Sequence, residues 1–109
     1  MPVSGACKRI ENALQTCAGI TAQSHRFWGT EYRLGRREIG HVHTDPLVDI
    51  PFPKKIRDVL VATGRAESHH ILPESGWVRI HLNQASDVER ASELLLYSFE
   101  IAIKISLTR

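Results

Sequence analysis

The sequence predicts an α+β domain: a two-layer sandwich of a mostly antiparallel sheet with helices on one face, in the order α-β-β-β-β-α-β-β-α. Three observations carry this. From Ile20 to Ile50 no helical period is visible, and short runs rich in Thr, Val, Ile, Tyr and Phe are punctuated by Gly29, Gly35 and Pro46. Segments before and after that region repeat apolar residues at the i, i+3, i+4 spacing of one buried helix stripe. Between the later segments, Trp77 to Leu82 alternates so that Val78, Ile80 and Leu82 share one side and Trp77, Arg79 and His81 the other. Antiparallel strands and one-striped helices pack most simply as two layers, which leaves the second sheet face bare.

The first helix is expected to be capped by Ser4, to bury Ile10, Ala13, Leu14 and Cys17, and to stop at Gly19. Four strands follow, at about 20–26, 30–34, 37–43 and 47–50, with Leu34-Gly35-Arg36 as a tight hairpin connection because Gly35 tolerates positive φ. The corner at Phe27-Trp28-Gly29 is the least determined. Pro51 and Pro53 end the sheet segment, since proline gives no ladder donor, and Pro53 presets the first turn of a second helix. Its expected inner face is Ile56, Val59, Leu60 and Thr63, its outer face Lys54, Lys55, Arg57 and Asp58, and its end Gly64. Ala66 to Leu72 reads as extended, Pro73 to Gly76 as a turn, and Trp77 to Leu82 as the last strand. Ser86-Asp87-Val88-Glu89 has the form of a capping box, followed by a third helix through Val88, Ala91, Leu95, Phe99 and Ala102 to about Lys104.

A chain of 109 residues with 42% hydrophobic and 24% charged residues is sized for one domain with one core. Its formal charge of +2 is too small to argue for nucleic acid by itself. No run approaches the roughly 18 apolar residues of a membrane helix, and the charges near the N-terminus argue against a signal peptide, so a cytoplasmic location without membrane contact is expected. Cys7 and Cys17, ten residues apart on one expected helix, would lie about 15 Å apart along its axis. Both are expected to be reduced.

The unusual chemistry is concentrated between Arg37 and Phe52. His41 and His43, separated by one residue, project to the same side of a strand about 7 Å apart. A nearby carboxylate, Asp45, could join them in holding a divalent metal, and a complete site would need a third ligand from Asp49, His69, His70 or His81. Asp45 and Asp49 also suit an acid–base pair, although their spacing fixes no separation. His69 and His70 point to opposite faces of any strand, so at most one reaches a shared site. Trp77, Arg79 and His81 form a row that can stack a planar ligand and pair with an anion through Arg79, or simply form an ion pair with Glu31 or Asp49. No phosphate loop, dinucleotide fingerprint, nucleophile elbow or cysteine zinc framework is present, and no cofactor beyond a divalent metal is indicated.

Taken together, Phe27 to Tyr32, Arg37 to His43, Leu47 to Pro53 and His69 to Val78 resemble the luciferase-domain family of small bacterial proteins, over about Gly19 to Ala102. The resemblance implies homology and carries over no catalytic residues. A chain this short, with no flavin or nucleotide motif, is expected not to emit light. Gly76 to Ile80 followed by Leu94 to Glu100 is also similar to the end of MmcQ/YjbR-like proteins, small α+β domains, and implies the strand-then-long-helix ending.

The expectation is therefore a binding domain. Its polar sheet face, with His41, His43, Asp49, His70, Trp77 and Arg79, would hold a small anionic ligand or a partner segment. Two alternatives stand beside it: a metal- or histidine-dependent hydrolase or isomerase using His41, His43 and Asp45 or Asp49, and a nucleic-acid module using Lys54, Lys55 and Arg57. A homodimer would be formed through an exposed Leu94-Leu95-Leu96-Tyr97 flank or the open sheet face.

Overall fold

The computed structural model describes residues 4–25, 29–44, 46–69 and 75–107. The elements are α1 (Ala6–Leu14), β1 (Ile20–His25), β2 (Gly29–Leu34), β3 (Arg37–His43), β4 (Leu47–Pro51), α2 (Lys54–Ala62), β5 (Glu67–Ser68), β6 (Trp77–His81) and α3 (Ala85–Leu107). The order is the one the sequence predicts. The strands form one six-stranded sheet in the order β1-β2-β3-β4-β6-β5, antiparallel at every pairing. Gly35, with φ +61°, opens the two-residue turn between β2 and β3, which an L side chain would strain.

Ile39, Val42, Val48, Ile50, Val78, Ile80 and Leu82 line the covered side of the central strands and meet Val88, Ala91, Leu94, Leu95 and Ala102 of α3. α1 adds Ile10 and Leu14 over Tyr32, and α2 adds Leu60. The closest approach of the layers is at Gly40. A Cβ there would lie 2.5 Å from Leu95 Cδ2 and 3.0 Å from the Asp49 carbonyl oxygen.

β3 contains an irregularity on which the site depends. Tyr32 pairs with Gly40 and Arg33 with Glu38, so Ile39 is an extra residue, a β-bulge. Its carbonyl accepts a 2.9 Å hydrogen bond from the Ser98 hydroxyl, which α3 brings into the core.

Several local expectations are corrected. α1 is not capped by Ser4: its N-cap is Gly5, with φ +72° and no side-chain cap. It ends at Leu14, before Cys17 and Gly19. In α2 the inner side is Ile56, Leu60 and Val61, while Val59 is 60% exposed, because the helix packs against β5 and β6 through the former side. The Ser86 capping box does not form. Instead Asp87, one turn into α3, accepts hydrogen bonds from the backbone N–H of Asn83 (2.9 Å) and Gln84 (3.0 Å). α3 also runs to Leu107, three residues past the expected end. The Leu94-Leu95-Leu96-Tyr97 flank is not an exposed surface: Leu94 and Leu95 are buried and Leu96 packs against the core, leaving Tyr97 as its exposed member.

Candidate functional site

The bare side of the sheet is built by alternation in three strands. β6 contributes Trp77, Arg79 and His81, β4 contributes Asp49, and β3 contributes His41 and His43. Asp49 pairs across the ladder with His41 on one flank and with Arg79 on the other. Directly opposed residues share a face, so these three side chains must meet.

They meet on the Asp49 carboxylate, which is 1% exposed although it lies on the side without helices. Arg79 donates from Nε to Oδ1 (2.7 Å) and from Nη2 to Oδ2 (2.9 Å), a bidentate fork. His43 Nε2 lies 2.8 Å and His41 Nε2 3.2 Å from the same Oδ2. His69, just past β5, brings its Nε2 to 3.5 Å from Oδ2 and 3.4 Å from Arg79 Nη2. Three imidazoles and one guanidinium thus surround one buried carboxylate. The His41 and His43 rings are 4.8 Å apart between centroids, and Trp77 lies 5.3 Å from His41 as an aromatic wall.

Glu38 completes the arrangement, with Oε2 2.6 Å from His41 Nδ1. Three residues apart in a regular strand, Glu38 and His41 would point to opposite faces. The bulge at Ile39 supplies the extra step that puts them on the same one. Next to them, Glu31 of β2 is buried in an ion pair with Arg33.

The charges are strongly coupled. Burial alone would push the Asp49 carboxyl up, but hydrogen bonds from Arg79, His41 and His43 outweigh it and hold the group well below the usual carboxylate range. Burial likewise opposes charge on His41, yet its contacts with Asp49 and Glu38 prevail and raise it to about 9.

Of the residues expected in the site, His41, His43, Asp49, Trp77 and Arg79 are brought together. Asp45 and His70 lie outside the described residues. His81 is on the same side but faces Glu67 at 3.5 Å near the edge. Asp49 stands where the sequence placed Asp45 in a metal set: among the described residues, ligand atoms of His41, His43 and Asp49 all lie within 4.8 Å of one another. Glu38 was not foreseen, and His69 only as one of several outlying ligands. The basic trio on α2 is not a continuous patch, since Arg57 is tied to Asp58 (2.8 Å) and Ser68 (3.3 Å).

The family model described as Luciferase domain matches residues 36–98, more than half of the chain and all of the site described above. The chain belongs to the luciferase-domain family. In this luciferase domain the matched segment begins one residue before β3 and ends within α3. It therefore spans Glu38, the bulge and its Ser98 partner, both β3 histidines, Asp49, His69, Trp77 and Arg79. No curated protein and no solved structure matches the chain. Among the described residues, no helix of this luciferase domain is long and apolar enough to cross a membrane.

Proposed function

We propose that this luciferase domain is a binding module that seats a small anionic ligand, or an anionic partner segment, on its bare sheet face. The observation that supports this most is the gathering of Arg79, three imidazoles and Trp77 around the Asp49 carboxylate on one side of the sheet. The guanidinium is held by two charge-assisted bonds to Asp49, and a side chain fixed in this way loses little entropy on binding. His69 lies 3.4 Å from Arg79 Nη2, and Trp77, 5.3 Å from His41, offers a flat apolar surface for stacking a planar carboxylate or phosphate ester.

The test is a calorimetric and thermal-shift screen of small carboxylates and phosphate esters against wild type, Trp77→Leu and Arg79→Lys. The lysine keeps the charge but loses the fork. A ligand that raises Tm of wild type and binds at least 10-fold more weakly to both variants supports the reading. A screen in which no anion binds, or in which a bound anion is indifferent to both substitutions, overturns it.

A further inference from the structure

The bare face carries a second feature that an anion does not account for: the Asp49 Oδ2 atom has too many neighbours. A carboxylate oxygen has two lone pairs, yet four nitrogens lie within 3.5 Å of this one: Arg79 Nη2 at 2.9 Å, His43 Nε2 at 2.8 Å, His41 Nε2 at 3.2 Å and His69 Nε2 at 3.5 Å. Arg79 uses one lone pair. The other is shared among three imidazole nitrogens.

His41 lies between two carboxylates, with Glu38 2.6 Å from Nδ1 and Asp49 3.2 Å from Nε2. A metal ion on Nε2 replaces the proton that the charged ring shares with Asp49, while Nδ1–H is still donated to Glu38. A carboxylate on the distal nitrogen of a histidine is also the usual way a metal ligand is oriented.

We propose that His41 Nε2, His43 Nε2 and Asp49 Oδ2 form a mononuclear site for a divalent first-row transition metal, with Glu38 as positioning residue for His41 and Arg79 as positioning residue for Asp49. Two imidazoles and one carboxylate suit an ion of intermediate softness such as Zn2+ or Fe2+ and leave coordination positions open for an oxygen donor. Bonds of about 2.0–2.1 Å require ligand atoms about 3.3 Å apart in a tetrahedral set. The His41 and His43 nitrogens already lie 3.2 and 2.8 Å from Asp49 Oδ2, and the whole set lies within 4.8 Å, so seating an ion needs shifts of up to about 1.5 Å. His69, adjacent at 3.5 Å, flanks the open side.

The reading does not depend on the anion proposal. Tag-free protein stripped with a chelator is titrated with Co2+, followed by its visible ligand-field bands, and then with Zn2+ by calorimetry. One Co2+ per chain, displaced by Zn2+, is expected. Glu38→Gln should weaken binding about 10- to 100-fold, and His43→Gln should abolish the bands while circular dichroism stays unchanged. Asp49→Asn should do the same where it folds; His43, at the rim of the cluster, carries the test where it does not. Folded wild type that gives no bands and no heat with Zn2+ overturns the site, as do bands that survive His43→Gln. An anion that binds stripped protein without Co2+ bands would leave the binding face standing and remove the metal; bands without any bound anion would do the reverse.

Discussion

Asp49 is the residue on which the bare face depends. Its carboxylate is buried with Arg79 and three imidazoles as partners, so removing it leaves a buried guanidinium without its counter-charge. Breaking one side of such a pair costs about 3–5 kcal/mol, and urea unfolding of Asp49→Ala is expected to show a loss in that range. Gly40 is constrained from the other layer. Gly40→Val would force atoms into Leu95 and the Asp49 backbone and should cost about 1–3 kcal/mol by overpacking, read from the shift of the denaturation midpoint. Some of these residues could be read from the sequence. One intervening residue puts His41 and His43 on a common side of any strand, and the alternation of Trp77 and Arg79 was equally plain. The burial of Asp49 was not, because a carboxylate among polar neighbours reads as surface until its cross-strand partners are known. Glu38 was hidden for a different reason: a spacing of three means opposite faces unless a bulge intervenes, and nothing in Arg37-Glu38-Ile39-Gly40 announces one.

At the level of elements, α3 links the core to the site. Its N-terminus is organised by Asp87, which accepts from the Asn83 and Gln84 N–H groups and from Arg90 at 2.8 Å. Burial would raise the Asp87 carboxyl, but the Arg90 bond and the two backbone donors outweigh it and keep it below its ordinary value. A lowered folded-state value means that the stabilisation is complete above the unfolded value, near pH 4, and lost as pH falls through the folded one. Asp87→Asn should therefore cost about 1 kcal/mol at neutral pH, with the gap from wild type narrowing below about pH 4 in parallel denaturation curves. Farther along, Ser98→Ala would leave the Ile39 carbonyl buried without its hydroxyl, at about 1–2 kcal/mol. The period of α3 was legible because long amphipathic helices carry redundant signal. The ends of the helices and the inward side of α2 were not, since caps and rotation are settled by tertiary contacts that a nine-residue element cannot encode alone.

For the whole molecule, the two sides of the sheet divide stability from chemistry. Leu95 of α3 is fully buried against the sheet, and Leu95→Ala should cost about 2–5 kcal/mol. His43→Gln, at the rim of the opposite face, should cost less than about 1 kcal/mol while removing what the face binds. A melting curve paired with a binding titration on both variants checks that separation. The bulge crosses this divide. One additional residue in β3 acts as a phase slip in an otherwise two-fold repeat, so the length of that strand, as much as its composition, decides which groups become neighbours. A regular ladder through Glu38-Ile39-Gly40-His41 would retain every chemically active side chain and yet put Glu38 on the opposite side from His41, leaving the imidazole without its anchor. Excising Ile39, by contrast, would straighten the strand and keep the two on one side. Related chains that lack both the bulge and its surplus residue should accordingly share this chemistry, while chains that keep the spacing and lose the bulge should not, even where all their polar residues are the same.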